Sequence, residues 1–153
     1  MAAVYKISEE CFDDSFELIA IHTNLESYQL AYFINSVTDL QLARSFRDLV
    51  VDTVAYALYE YKDAISEEDW FLMANKAQKE DTGLAEGLFS QSNTLITYHL
   101  LEERKDINYL LKLSAEQTIQ INNVLEQIKS IPKVRMAYAL EPETLKSKKN
   151  LIF

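Results

Sequence analysis

Few side chains in this sequence are of types that do chemistry unaided: two histidines, His22 and His99, one cysteine, Cys11, and 24 carboxylates. A histidine that moves a proton or binds a metal needs a partner group held beside it. Both histidines fall at the ends of expected strands, where neither shares a strand face with a second His or a carboxylate at ligand spacing. Each therefore reads as structural. Cys11 lies among Glu9, Glu10, Asp13 and Asp14, and four negative charges disfavour the thiolate that a nucleophile requires. Carboxylate pairs carry no information where acidic residues are this frequent. Gly83 and Gly87 are not followed by the Lys-Ser/Thr pair of a phosphate-binding loop. No catalytic residue, no cofactor and no metal ligand is expected, and the chain reads as a non-enzyme.

The stretch that organises the chain is Leu101 to Leu113. Ile107, Tyr109, Leu111 and Leu113 alternate with Asn108, Leu110 and Lys112, the period-two pattern of a half-buried strand. The charged residues from Glu102 to Asp106 separate this strand from Thr97 to Leu101, which predicts a hairpin of two paired strands.

Leu101 to Tyr109, LEERKDINY, resembles the motif of a bacterial family of small proteins named for the pattern IPExxxVDY. Glu103 and Tyr109 match letter for letter, and Leu101 and Ile107 are conservative replacements. Glu102 stands where the family has proline, and Asn108 where it has aspartate. The likeness extends through Phe16 to Tyr32, Tyr56 to Tyr61, the Trp70 strand and Leu145 to Phe153. The resemblance implies a family without an assigned activity or cofactor. Its gene neighbours, for acyl carrier protein, a ketoacyl synthase, ribonuclease III and pyruvate kinase, suggest protein partners to test. An amide at Asn108 cannot ionise as a base or anionic ligand. Leu101, Glu103, Ile107, Asn108 and Tyr109 are accordingly expected to be structural.

The elements that carry this stretch follow from periodicity. Val4 to Ile7 reads as a short strand, and Phe16 to His22 is a nearly continuous apolar run, as in a central strand covered on both faces. Thr23 to Glu26 has the form of a capping box opening a helix that runs to Val37, with Leu25, Tyr28 and Tyr32 in its core or at its rim. Leu40 to Phe46 reads as a weak strand, Val54 to Tyr59 as a stronger one and Trp70 to Asn75 as the next in a meander. Gln78 to Leu95, which holds both glycines, reads as a long connection that moves if anything moves on binding. Ser114 to Gln117 forms a second capping box, before a helix with Ile121, Val124, Leu125, Ile128 and Ile131 at helical spacing. Pro132 ends it, and Val134 to Leu140 alternates as a last strand. The Ile107 strand, this helix and the Val134 strand have the form of a βαβ unit with parallel neighbours. The expected fold is thus a single α+β domain over residues 1–140. It has an antiparallel-rich sheet of six or seven strands in the order β-α-β-β-β-β-β-α-β, with two helices packed on the sheet. Residues 141–153 form a C-terminal tail.

At 153 residues the chain is long enough to bury a real core. A formal net charge of -9 opposes direct binding to nucleic acid or an anionic membrane. A single cysteine allows no intrachain disulfide, no apolar run approaches a membrane span, and no leader is apparent, so a cytoplasmic location is expected.

Tyr59, Tyr61 and Trp70 are the candidates for an exposed aromatic patch, although cross-strand pairing accounts for the same residues. Leu151, Ile152 and Phe153, after Lys146, Lys148 and Lys149, either cover an edge of the domain or dock into a partner or a dimer mate. The favoured function is a non-enzymatic interaction or assembly module acting on a cytoplasmic protein, with a homodimer left open. A small-molecule binder or enzyme with a pocket between the first helix, the sheet and the 78–95 connection is the alternative. An accessory protein of RNA metabolism that acts through a protein partner is a third.

Overall fold

Glu17–Thr23 (β1) is buried at six of its seven positions, so it belongs inside a sheet with both faces covered. The computed structural model, which describes residues 16–81, 94–114 and 119–153, places it there. Six antiparallel strands form the main sheet. The later strands are Ala43–Arg44 (β2), Leu49–Val51 (β3), Val54–Tyr56 (β4), Leu58–Asp63 (β5), Glu68–Ala74 (β6), Lys76–Asp81 (β7), Thr94–His99 (β8), Tyr109–Ser114 (β9) and Val134–Leu140 (β10). In the main sheet the order is β10-β1-β9-β6-β5-β2, while β3-β4 and β7-β8 form two small sheets of their own. The helices are Ser27–Val37 (α1) and Ile119–Lys129 (α2). No helix among the described residues is long and apolar enough to cross a membrane.

Alternation along the central strands divides the core in two. Ile19, Ile21, Leu111, Leu113, Trp70, Leu72 and Tyr59 face both helices, which contribute Leu30, Ile34, Val124, Leu125 and Ile128. Leu18, Ala20, Leu110, Phe71 and Met73 face the opposite way. That side is covered by the β3-β4 hairpin, by Leu100, Leu101 and Ile107, and by Leu145 and Leu151 of the tail. The expected α+β architecture with two helices on an antiparallel sheet is therefore the one observed.

Several details differ from expectation. Strands β9 and β10 are not neighbours, because β1 lies between them and pairs antiparallel with both. Strand β1, buried at six of seven positions, suits that enclosed position. The expected hairpin of Thr97–Leu101 with the Ile107 strand does not form either. Strand β8 pairs with β7, whereas β9 pairs with β1 and β6. Gln78 to Asp81 is thus strand and not connection, and Lys76–Asp81 escapes detection because its sequence, KAQKED, lacks apolar alternation.

Helix α1 begins later than the Thr23 box implies. Glu26 is the N-cap, its side chain accepting from the Gln29 amide while the Gln29 side chain accepts from the Glu26 amide at 3.0 Å. Thr23 Oγ1 does accept from a backbone amide, that of Leu25 at 3.2 Å, but ahead of the helix, and it donates to the Lys133 carbonyl at 2.8 Å, joining the end of β1 to the start of β10. Val54 to Tyr59 divides into β4 and β5, and Leu40 and Leu42 are buried in a connection before β2. Between β3 and β4, Asp52 (φ 49°) and Thr53 (φ 68°) form a two-residue turn of the mirror-image kind that matches strand twist. A β-branched residue is strained there, and Lys79 Nζ clamps Thr53 through its carbonyl (3.2 Å) and hydroxyl (2.9 Å). The Val4 to Ile7 strand, Cys11, the 82–93 part of the connection and most of the Ser114 box lie outside the described residues.

Candidate functional site

Asn75 stands where β6 leaves the main sheet to become β7, and it is fully buried. Its Oδ1 accepts from the Leu101 amide at 2.8 Å, and its Nδ2 donates to the carbonyls of Arg104 and Ile107 at 2.9 Å each. The 101–107 connection therefore folds around one side-chain amide. Each residue singled out in the motif has a partner within the fold. Leu101 and Ile107 are buried. Asn108 Oδ1 accepts from the Thr23 amide at 2.9 Å. Tyr109 donates its hydroxyl to the Leu25 carbonyl at 2.7 Å, fixing the turn that precedes α1. Burial, aided by Glu26 and Tyr59, pushes the Tyr109 phenol up to about 12.

Glu103 reaches the tail, accepting from the Ser147 amide at 2.8 Å and the Ser147 hydroxyl at 2.7 Å. Burial raises the Glu103 carboxyl, but these bonds outweigh it and hold the group below the usual carboxylate range. Asn150 Nδ2 donates to the Leu100 carbonyl at 2.8 Å. Lys112, buried at the centre of the sheet, donates to the Leu151 carbonyl at 2.7 Å. Its ammonium also lies 4.3 Å from the ring centre of Phe153, 4.8 Å from Phe16 and 5.6 Å from Phe71. Phe153 in turn meets Phe71 edge to face at 5.0 Å. The tail is docked on its own chain. Leu151 is wholly enclosed, so of the three terminal candidates only the half-exposed Ile152 and Phe153 present surface.

Of the two readings of Tyr59, Tyr61 and Trp70, cross-strand pairing is the one observed, since Tyr61 lies opposite Trp70 and the three form no exposed patch. Trp70 is fully buried and donates its indole N–H to Glu68 at 3.1 Å. Tyr59 is buried under the Arg44 guanidinium, and Tyr61, directly across from Trp70, is packed against the helix-side core. Alternation placed these residues on strands without telling which face α1 would cover.

The fold gives His22 neighbours that the sequence does not. Its Nε2 lies 3.1 Å from the Tyr138 hydroxyl and 4.0 Å from the Asp106 carboxylate. Arg104 donates twice to Asp106, both bonds at 3.1 Å, and also donates to the Tyr138 hydroxyl. That pairing holds the Asp106 carboxyl below its ordinary range. The four side chains satisfy one another and fasten the connection to β1 and β10. Burial pulls the His99 imidazole down. Among the described residues no three His, Cys, Asp or Glu side chains converge as a metal site.

The unexplained surface is α1. Its eleven residues, SYQLAYFINSV, include no charged side chain. Leu30, Ala31 and Ile34 are buried, while Tyr28 (63% exposed) and Tyr32 (68%), four residues apart, share the opposite face. These tyrosines are neither core nor rim. Two clefts border the helix. One, of about 480 Å³, lies at its N-terminal end among Thr23, Leu25, Glu26, Lys76, Asn108 and Tyr109. The other, of about 500 Å³, lies at its C-terminal end with Leu40, Trp70 and Val124 below and Asp39, Glu126 and Gln127 around it. The readable signal was the absence of charge from Ser27 to Val37, which an apolar-periodicity search passes over.

The chain matches no protein-family model, no curated protein and no solved structure. The family resemblance therefore rests on the motif at Leu101 to Tyr109 and the further stretches that accompany it, and on nothing in these comparisons.

Proposed function

We propose that the chain is a cytoplasmic, non-enzymatic interaction or assembly module that binds a protein partner through the outer face of α1. One observation carries this reading: an uncharged helix exposing two tyrosines, in a chain of which 25% is charged. Surface helices normally present charged side chains to water, whereas tyrosine is enriched and charge depleted at the centres of protein interfaces. Tyrosine also supplies large contact area at small entropic cost, since few rotors must be frozen. The rest of the molecule suits a scaffold for that helix, with α1 held from below by Leu30, Ala31 and Ile34 and its entry fixed by Tyr109. Tyr28→Ala with Tyr32→Ala tests it: melting should stay within a few degrees of wild type while capture of the native partner is lost. Capture unchanged in the double variant refutes it.

A second reading has an observation in its favour. The cleft of about 480 Å³ lies between the N-cap of the first helix, the end of β6 and the first residues of β7 as far as Gln78. Lys76 and Glu26, opposite in charge, line it with Asn24, Gln78 and Asn108 over Leu25 and the Tyr109 ring. A thermal-shift screen of zwitterionic and amide-bearing metabolites tests this reading; a hit abolished by Lys76→Ala and Asn108→Ala supports it.

A further inference from the structure

We infer that the partner of this helix layer is a basic amphipathic segment, its apolar side chains on Tyr28 and Tyr32 and a cationic side chain in the cleft beside Asp39. The inference rests on the interaction reading above and adds the chemistry of the partner.

The apolar part follows from α1 itself. Three turns of helix give a stripe about 16 Å long at 1.5 Å per residue, the footprint of a short helix laid in a groove. Tyr28, Tyr32 and Ser36 succeed one another at four-residue steps along it, and none is charged.

The ends of the stripe decide the charge. Glu26 caps one end, where Lys76 offsets it across the cleft of about 480 Å³, whereas exposed Asp39 follows the other, so the acidic flank is the C-terminal one. Asp39, two residues past the end of α1, lines the cleft of about 500 Å³ together with the buried Leu40, Val124 and Trp70. The charged lining of that cleft is Asp39 and Glu126, with Asn123 and Gln127 as neutral acceptors. Lys129 pairs with Glu126 at 3.2 Å, but both side chains are largely exposed and the pair is weak. A lysine or arginine seats its methylene stem on such apolar side chains and its head at the carboxylates.

The same charges argue against a second copy in this place. Two copies of α1 packed antiparallel would set Glu26 of one against Asp39 of the other at both ends, on chains that each carry a net charge of -9. Like charges at an interface are a penalty that a basic partner avoids.

The test uses the full chain and two synthetic helical peptides of sixteen residues. Both share one leucine face; the polar face is lysine in one and glutamate in the other. Binding is followed by fluorescence anisotropy at physiological salt. The Leu/Lys peptide is expected to saturate one site and the Leu/Glu peptide not to bind. Tyr32→Ala should weaken the Leu/Lys peptide at least tenfold, and so should Asp39→Asn with Glu126→Gln. The control pair Glu102→Gln with Glu141→Gln, equal in charge change but away from the helix layer, should leave affinity within twofold. Equal weakening by both pairs would mean attraction by bulk charge and would overturn the inference. So would binding of the Leu/Glu peptide, or self-association through Tyr28 and Tyr32 seen by light scattering. Failure here with native-partner capture still dependent on Tyr28 and Tyr32 would leave the interaction reading standing with a partner of different chemistry.

Discussion

Leu151→Ala is the sharpest probe of the tail. The residue is 0% exposed and lies in the core beneath the sheet with Phe16, Leu18, Phe71 and Leu110. Truncating a fully enclosed leucine costs about 2–5 kcal/mol, through lost transfer energy and the cavity left behind. For a chain of this length each kcal/mol lowers the melting temperature by about 2–4 °C, so a fall of roughly 5–15 °C is expected. Phe153→Ala supplies the scale: the ring is half-exposed, and its edge-to-face contact with Phe71 is worth about 0.5–1.5 kcal/mol beyond area. Urea titration followed by Trp70, the only tryptophan and wholly buried, reads both variants. The Lys112 contact can be isolated by crossing Lys112→Met with deletion of Leu151 to Phe153. A coupling of about 1.5–3 kcal/mol is expected for a hydrogen bond from a charged donor. If both Leu151→Ala and Phe153→Ala unfolded with wild type, the docked tail would be refuted.

Further consequences concern the connection and its titrating groups. Asn75→Ala leaves the Leu101 amide and the Arg104 and Ile107 carbonyls without their side-chain partner, at about 1–3 kcal/mol for each buried group left unsatisfied. Chemical denaturation should show one of the largest losses of any single substitution, and an Asn75→Ala chain as stable as wild type would remove the amide from its organising role. Glu103, held below the usual carboxylate range, contributes stability that is present above the unfolded pKa and lost as pH falls through the lower folded value. The Ser147 amide resonance should therefore titrate below the usual glutamate range and stop doing so in Glu103→Gln; a midpoint above that range would contradict the contact. Ultraviolet titration should find a phenol ionising at about 12, absent from Tyr109→Phe, which also loses about 1 kcal/mol with its bond to Leu25.

Most of the architecture was legible where one face of a strand is buried. The alternation around Val54 to Tyr61 and Trp70 to Ala74 led to the β5-β6 pair, and the unbroken run Phe16 to His22 led to a central strand. The pairing order was not legible, because local periodicity reports which face of a strand is buried and not which strand lies beside it. Asn75, which bonds the 101–107 connection between β8 and β9, left no periodic signal either, since a side-chain amide that bonds to backbone produces none. The covered faces were not legible either. Trp70 and Tyr59 read as well on a surface as beneath a helix, and Tyr28 and Tyr32 could be placed outward only once Leu30, Ala31 and Ile34 were seen to point inward. Lys112 occupies a position that alternation assigns to a polar face, and the tail makes that face a second core. His22 gained Asp106 and Arg104 from one segment and Tyr138 from another, a juxtaposition only the fold provides.

The central claim is best tested by quantitative affinity capture from cells that make the protein. The tagged wild-type chain and a Tyr28→Glu/Tyr32→Glu variant of matched melting temperature would be compared, with recovered proteins counted by mass spectrometry. One protein recovered near equal stoichiometry with the wild type and absent with the variant is the expected result. The same protein recovered in equal amount by both chains would contradict an interface on α1.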